Sequence, residues 1–328
     1  MKCRVFLSLL SAALILSIST GCIISHCTTP GDGTASASAV RPGLEGELKK
    51  DVRYLAKTCH PRPAGYEKNQ AKAVEYVARS LADTGAKVTC QPFTADKRTF
   101  VNVSAGFPGN SAKRVIVGAH FDTFGDTPGA DDNASGVAGL LALGRMLKGI
   151  SPQYTIELIA YANEEPPYFA TEHMGSAQHA QKLYTEQIGI KAMICLEMIG
   201  YFSAKENSQT YPGPGMGTLY PDKGNFIAIV GNWDSVRLGR DIQKSMRPFL
   251  PTVRLNLPQI KGMCMDFSDH RNFWAKDMPA VMITDTSFFR NPNYHQPGDL
   301  PETLDYRRMA QVVRGVHQAV LHLAAEEK

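Results

Sequence analysis

The sequence lacks three features that would point to other classes of protein. No two cysteines have the CxxC spacing of a structural zinc site. The apolar run Val5 to Ile18 is shorter than a membrane-spanning helix. Basic residues form no stripe along the chain, and the formal net charge of +4 falls to +2 if Lys2 and Arg4 are removed with a leader. We therefore expect no nucleic-acid partner.

The first residues have the pattern of an export signal, because Lys2 and Arg4 precede the apolar run and small polar residues follow it. We predict that residues 1–21 are a signal peptide. Ser19-Thr20-Gly21-Cys22 resembles the lipobox of bacterial lipoproteins, in which Cys22 would carry the lipid, with plain secretion as the alternative. Residues 22–43 read as a flexible tether. The protein should therefore be periplasmic, attached to the membrane only by a lipid anchor, or secreted.

Cysteines beyond this leader are compatible with an oxidising compartment but give no unique pairing. They are Cys27, Cys59, Cys90, Cys195 and Cys264. We predict a Cys59–Cys90 disulfide as the preferred pair. Cys195 lies in an apolar run and is equally compatible with a small buried hydrophobic residue.

The remaining chain alternates strand and helix patterns and should form one α/β domain over residues 44–328. With 328 residues and 43% apolar content, the chain can bury one large core. The predicted strands are 87–93, 114–119, 155–162, 192–198, 225–230 and 280–284, and the predicted helices are 67–84, 134–148, 175–183, 234–246 and 304–325. Several strands are continuously apolar, which indicates a mixed, largely parallel sheet covered by helices on both faces. We expect a monomer.

Acidic and histidine residues follow the apolar strands in five segments. These are His120-Phe121-Asp122, Asp131-Asp132, Glu164-Glu165, Glu197 and His295. Because ligand sites of such sheets lie beyond the carboxyl ends of the strands, we expect these side chains to converge. Two divalent cations about 3.5–4 Å apart need imidazole and carboxylate ligands and a bridging carboxylate. The segments can supply that set and one further free glutamate.

Simpler interpretations exist for individual segments. The acids at 131–132 could merely cap the following helix, and Glu164 and Glu165 could be solvated loop residues. Glu197 is less easily explained in this way, since an unpaired carboxylate at the end of an apolar strand is costly. A cation or an arginine must compensate it.

The motifs GAHFD, PGADDNASG, ANEE, LEMIG and YHQPGD, in this order over residues 55–325, resemble the bacterial di-zinc aminopeptidases of metallopeptidase family twenty-eight. That group also includes glutamate carboxypeptidase and the glutaminyl cyclases. The resemblance implies a three-layer α/β sandwich of the zinc exopeptidase type and two zinc ions as cofactors.

The resemblance also implies a role for each motif residue. His120 and Glu197 would bind one zinc ion, Glu165 and His295 the other, and Asp131 would bridge the two. Glu164 would be the general base, Asp122 would orient His120, and Asp132 would support the turn behind the bridge without binding metal. One departure is Glu197, where many of these aminopeptidases have an aspartate.

Further residues are candidates for a substrate pocket. Ser268-Asp269-His270 and Phe273 resemble a segment that lines the pocket in this family, although they could equally begin and pack a helix. Residues 201–223 read as a long loop of the kind that often covers a binding site, with Tyr211 and Tyr220 available to contact a substrate.

The resemblance implies an exopeptidase that acts on peptides with a free N-terminus. A glutaminyl cyclase with a single zinc ion is one alternative. A carboxypeptidase-type enzyme is another, with Arg271 and Arg290 as candidates to bind a substrate carboxylate. A non-catalytic binding module is the third, and that interpretation expects ligands to be missing.

Overall fold

The computed structural model describes residues 43–213, 215–256 and 265–325. The predicted signal peptide, the tether with Cys22, and the cysteines Cys27 and Cys264 lie outside these residues. No helix in the described ranges is both long and apolar enough to cross a membrane.

An eight-stranded sheet forms the centre of the molecule, in the spatial order β1-β2-β4-β3-β5-β8-β6-β7. The strands are β1 Lys87–Ala95, β2 Arg98–Phe107, β3 Ser111–His120, β4 Tyr154–Tyr161, β5 Ile190–Glu197, β6 Ile227–Gly231, β7 Thr252–Asn256 and β8 Ala280–Thr284. Strands β4, β3, β5 and β8 run parallel to one another, whereas β2 and β6 pair antiparallel to this block. The predicted mixed, largely parallel sheet is confirmed.

Seven helices accompany the sheet within the described residues. They are α1 Leu44–Arg53, α2 Glu67–Ala82, α3 Gly136–Met146, α4 Gly175–Thr185, α5 Val236–Met246, α6 His270–Trp274 and α7 Tyr306–Leu323. Alternate residues of β3 belong to two different hydrophobic clusters. Val115 and Val117 share one cluster with residues of α1, α2, α3, α5 and α7. Ile116 shares the other with residues of α4 and α6. Helices therefore cover both faces, as the continuous apolar strands predicted.

Strands β2 and β7 and helix α1 were absent from the sequence prediction, and α6 was considered only as an alternative to a pocket segment. The turn between β1 and β2 shows why β2 was missed. Asp96 and Lys97 both have positive φ, at 48° and 64°, as the tight turn of a two-residue hairpin requires. Asn-Gly or Asp-Gly usually marks such a turn, and this chain has neither there.

The predicted disulfide between Cys59 and Cys90 is wrong, because both cysteines are free. Cys59 is buried in the core, whereas Cys90 is exposed on β1. Cys195 is also free and fully buried, which agrees with the interpretation as a small buried hydrophobic residue.

The parallel block fixes where the candidate residues lie. His120 is the last residue of β3 and pairs with Tyr161 at the end of β4, while Glu197 ends β5 beside Thr284 of β8. Glu164 and Glu165 follow β4 within a few residues. The predicted ligands therefore meet at one edge of the sheet.

Candidate metal centre

Two groups of side chains at this edge have the composition and spacing of metal sites. His120, Asp132 and Glu197 form one group, and Asp132, Glu165 and His295 form the other. Within each group, the potential ligand atoms lie within 4.8 Å of one another. The shared member is Asp132.

The carboxylate of Asp132 lies between the two histidines. Its Oδ1 is 3.3 Å from His120 Nε2, and its Oδ2 is 3.2 Å from His295 Nε2. His120 Nε2 also lies 3.3 Å from Glu197 Oε2, and His295 Nε2 lies 3.2 Å from Glu165 Oε1. Each oxygen of Asp132 thus faces a different group, which is the arrangement of a bridging ligand.

The structure thus places Asp132, and not Asp131, at the position that the resemblance implies for the bridging ligand. Asp131 Oδ1 accepts a hydrogen bond from the Gly200 backbone N–H at 3.0 Å, and Oδ2 accepts one from Asn291 Nδ2 at 2.7 Å. Asp131 belongs to neither group of ligands. Its side chain ties the turn to Gly200 and Asn291, which is the kind of support that the motif resemblance implies for Asp132.

The local backbone explains this placement. Asp132 and Asn133 leave the helical conformation within the turn Ala130–Ser135, with φ and ψ of −103° and 90° at Asp132. The turn then enters α3 at Gly136, where a Cβ atom would lie 2.6 Å from the Leu196 carbonyl oxygen. Only glycine allows this approach, which brings the turn against the end of β5.

Asp122 contacts the glutamate pair as well as His120. Its Oδ1 is 3.5 Å from His120 Nδ1 and accepts the Glu164 backbone N–H at 3.1 Å. Its Oδ2 accepts the Glu165 N–H at 3.0 Å. The residue predicted to orient His120 is thus placed to fix the backbone of Glu164 and Glu165 too.

Asp299 makes the equivalent contacts on the other side of the centre. Its two carboxylate oxygens accept the backbone N–H groups of Asp131 and Asp132, at 2.9 and 3.1 Å. Asp299 is the last residue of the YHQPGD motif, yet the sequence analysis gave it no role. Only its proximity to a segment 167 residues away reveals the contact.

Ser268 holds the carboxylate of Glu197. Its hydroxyl donates to Glu197 Oε2 at 2.6 Å and lies 3.1 Å from Cys195 Sγ. Glu197 is buried, and this hydrogen bond leaves its orientation fixed. The sequence motifs indicate Ser268 only as part of a pocket segment, because its contact with Glu197 joins residues 71 positions apart.

The electrostatics of the centre indicate an excess of buried negative charge. Burial raises the pKa of Glu164 well above its ordinary value, raises that of Glu197, and raises that of Glu165 to about 7. Burial would also raise the pKa of Asp132, but hydrogen bonds from His120 and His295 outweigh it and lower this pKa. Among the described residues, the cationic side chains do not balance the negative charge of these buried carboxylates.

The surrounding carboxylates also raise the pKa values of both histidines. Burial would lower the pKa of His120, but the charges of Glu197 and Glu164 raise it well above its ordinary value. For His295, burial is outweighed by Asp132 and Glu165, and the pKa rises to about 9. Within the described residues, His120 Nε2 and Glu165 Oε1 are buried without a hydrogen-bond partner. Nitrogen and oxygen donors, unsatisfied polar atoms and excess negative charge together fit divalent cations.

A cavity of about 120 Å³ opens beside the centre. Asp132, Glu164, Glu165, Glu197 and His295 line one side of it. The rest of the wall is largely apolar and aromatic, with Phe124, Phe169, Tyr211, Val230, Leu255, Met265, Phe267, Met282, Phe288, Phe289 and Tyr294. Such a lining suits an apolar side chain held next to the acidic groups.

The pocket prediction is partly wrong. Tyr211 lines the cavity, whereas Tyr220 does not. The ring of Tyr220 contacts that of Tyr211 at a centroid distance of 5.5 Å. Asp269, His270 and Phe273 are fully buried and do not line the cavity. They lie at the start of and within α6, which packs against α4 and the sheet, so the alternative of a helix start and core packing is the one that the structure bears out.

The fold and the centre define an α/β protein with a paired histidine–carboxylate site at the ends of parallel strands. The sequence model described as "Peptidase family M28" matches residues 102–320. This chain therefore belongs to peptidase family M28, and the resemblance seen in the motifs is confirmed.

Two relatives illustrate the range of similarity. The chain is 43% identical over 293 residues to the protein named "Uncharacterized protein YfbL" of Escherichia coli strain K12, covering 86% of this chain and 89% of that protein. It is 28% identical over 309 residues to a "Probable leucine aminopeptidase" of Trichophyton verrucosum, covering 85% and 73%.

Solved structures share the fold at low sequence identity. The zinc aminopeptidase BSAP from Bacillus subtilis superposes with a TM-score of 0.68 at 15% identity, covering 87% of this chain and 96% of that one. The glutaminyl cyclase from Fimbriiglobus ruber superposes with a TM-score of 0.67 at 18% identity, covering 86% and 96%. One fold therefore accommodates both kinds of protein.

Proposed function

We propose that this protein is a zinc-dependent aminopeptidase that removes N-terminal residues from peptides. The observation that carries the proposal is the pair of complete ligand groups that share Asp132, with Glu164 beside them and outside both. The relatives named as leucine aminopeptidases and the fold shared with a zinc aminopeptidase support the same reaction.

Five side chains would hold two zinc ions. His120 and Glu197 would bind one ion, Glu165 and His295 the other, and Asp132 would bind both. When bound, two such ions polarise a scissile carbonyl and lower the pKa of a water molecule. A single complete group would not explain why Asp132 presents one oxygen to each histidine.

Glu164 is the proposed general base. It lines the cavity, and its Oε2 lies 3.9 Å from His120 Nε2 without belonging to a ligand group. It would accept a proton from water as the water oxygen bonds to the carbonyl carbon. It would then give that proton to the amine nitrogen as the C–N bond breaks.

The charge of the cavity favours an N-terminal over a C-terminal substrate. No lysine or arginine is among the described residues that line it, so a substrate carboxylate would meet no cationic side chain there. The two arginines considered for a carboxylate are engaged elsewhere. Arg290 donates to Gln209 and to the Phe226 carbonyl, and Arg271 pairs with Asp266. These contacts disfavour a carboxypeptidase-type activity.

A glutaminyl cyclase remains the second candidate, because two cyclases are among the structural neighbours. We favour hydrolysis because both ligand groups are complete, whereas the cyclase alternative needs only a single zinc ion. The same completeness disfavours a non-catalytic binding module. The aromatic wall of the cavity supports apolar or aromatic N-terminal residues as substrates.

We also propose that the enzyme acts outside the cytoplasm as a monomer, either free or anchored through a lipid on Cys22. The N-terminal sequence supports the location. Mass spectrometry of the mature N-terminus would distinguish lipidated Cys22 from simple cleavage, and sedimentation would give the oligomeric state.

The decisive experiment combines metal analysis with a panel of substrates. Purified protein lacking residues 1–21 is analysed for zinc and assayed on N-terminal aminoacyl amides and on N-terminal glutaminyl peptides. Two zinc ions with release of free amino acids would support the proposal. One zinc ion with formation of pyroglutamate would identify a cyclase, and absence of both activities in the zinc-loaded protein would contradict a catalytic function for these substrates.

A further inference from the structure

The imidazole of His295 is held between two aromatic rings. The ring of Phe124 stacks on it with a centroid distance of 4.0 Å and an interplanar angle of 3°. The ring of Tyr294 stacks on it at 3.7 Å and 19°. Two rings cannot occupy the same face of an imidazole at these distances, so Phe124 and Tyr294 cover opposite faces.

The two ligand histidines are supported in different ways. His120 Nδ1 makes no hydrogen bond within the described residues, but a carboxylate oxygen of Asp122 lies 3.5 Å from it, at ion-pair distance. His295 Nδ1 is buried and has no hydrogen-bond partner among the described residues. A metal-binding histidine usually donates its second ring N–H to a carboxylate, a carbonyl or water, which fixes the orientation of the ring. For His295, the described residues offer stacking instead of that hydrogen bond.

We propose that Phe124 is a positioning residue that orients His295 towards its metal ion by ring stacking, in place of a hydrogen bond at Nδ1. This inference rests on the proposed function, since it assumes that His295 binds a metal ion. It assigns to Phe124 a role that neither its sequence motif nor the family match identifies.

The segment that carries Phe124 is built to keep the ring in place. The Phe124 carbonyl accepts hydrogen bonds from the N–H and the hydroxyl of Thr127, at 3.2 and 2.8 Å. The guanidinium of the fully buried Arg62 donates to the carbonyls of Phe121 and Gly129, at 2.5 and 2.7 Å. The backbone at both ends of the segment and at its central turn is therefore fixed by contacts within the protein.

Phe124 also lines the substrate cavity. A substrate side chain in that cavity would touch the same ring that supports the metal ligand. Occupancy of the cavity and the geometry of the His295 site should therefore be linked. We expect a change at Phe124 to alter metal binding at one site, rather than substrate affinity alone.

The test is a zinc titration of the metal-free protein against a competing chelator. F124L removes the flat ring but keeps apolar volume, and F124Y keeps the ring. F169L is the matched control, because Phe169 lines the same cavity but makes an edge-to-face contact with Phe267 and does not stack on His295. H295A and H120A identify which binding step belongs to which site.

H295A should lose one of the two zinc-binding steps. We expect F124L to weaken that same step by about 10–100-fold, the usual cost of losing the support of a ligand. The step lost in H120A should be unchanged. F124Y should restore the wild-type titration, and F169L should match wild type in metal binding even if its KM changes. The kcat of F124L should recover at excess zinc.

Other outcomes separate the possible failures. Unchanged zinc binding in F124L, or equal weakening of both steps, would overturn the role of Phe124. A titration of F124Y that is as weak as that of F124L would exclude stacking as the cause. If the wild type binds fewer than two zinc ions, the proposed function fails instead. F124M is titrated in place of F124L if circular dichroism shows that F124L does not fold.

Discussion

The carboxylates of Asp122 and Asp299 make matching contacts on opposite sides of the centre. Asp122 accepts the backbone N–H groups of Glu164 and Glu165, and Asp299 accepts those of Asp131 and Asp132. In each case one carboxylate fixes two consecutive peptide groups, and at least one of the two residues is a proposed ligand. The ligand carboxylates are thus held through their backbone before any cation binds.

This relationship predicts an effect of D299N on metal binding. The asparagine keeps one acceptor oxygen but turns an NH₂ group towards one of the two backbone donors. We expect zinc affinity to fall by about 10–100-fold, as for other residues that support ligands. D305N is the control, since Asp305 caps the N-terminus of α7 and asparagine also serves there. Equal zinc affinity in D299N and D305N would contradict the assigned role.

The proposed exchange of roles between two adjacent aspartates has its own test. We expect D132N to lose both zinc ions, because it removes the shared ligand, and D131N to retain them. Metal analysis after dialysis distinguishes the two variants. A D131N protein without zinc alongside a D132N protein with two ions would restore the sequence-based assignment.

The function of Glu164 can be separated from metal binding. We expect E164Q to retain both zinc ions while kcat falls by at least about 10²-fold, since a positioned general base contributes 10²–10⁴-fold. E165Q provides the comparison and should lose zinc at the His295 site. Full turnover by E164Q would exclude Glu164 as the base.

Arg62 should be important for stability. It is fully buried and donates to four carbonyl groups, those of Leu55, Phe121, Pro128 and Gly129. We expect R62M to lower the free energy of unfolding by about 3 kcal/mol or more, because buried acceptors lose charged donors. R53M removes an exposed ion pair with Glu302 and should cost at most about 1 kcal/mol. Denaturant unfolding measures both, and similar values for the two variants would be inconsistent with this account.

Glu157 should make stability depend on acid pH. Burial would raise its pKa, but His179 and Arg114 outweigh burial and lower it from 4.5 to about 2. Because the folded-state pKa is the lower one, the stabilisation is complete above about pH 4.5 and disappears as the pH falls towards 2. It amounts to at most about 3 kcal/mol.

The measurement compares the wild type with E157Q by denaturant unfolding across this range. The difference in unfolding free energy should be constant above about pH 5 and should shrink between about 4.5 and 2. E186Q, at an exposed position, should differ from wild type by less than about 0.5 kcal/mol. A difference for E157Q that does not change with pH would rule out this assignment.

The sequence alone determined the main features of the fold. Apolar runs with ligand-type residues at their ends predicted parallel strands, and the carboxyl ends of parallel strands meet at one edge. This was sufficient to bring His120, Glu165 and Glu197 together, because the position of each depends on where its strand ends, whereas His295 lies beyond β8 and a short turn and was indicated by its motif. The family motifs pointed to the same residues.

Only the tertiary structure decided which neighbouring side chain faces the centre. The direction of Asp131 and Asp132 depends on backbone dihedrals inside a turn, and Asp132 leaves the helical conformation there. Asp299 and Phe124 each contact a residue more than 160 positions away in the sequence. No local sequence pattern specifies such contacts. Asp269 is buried because α6 packs against α4, so packing rather than residue type excluded it from the cavity.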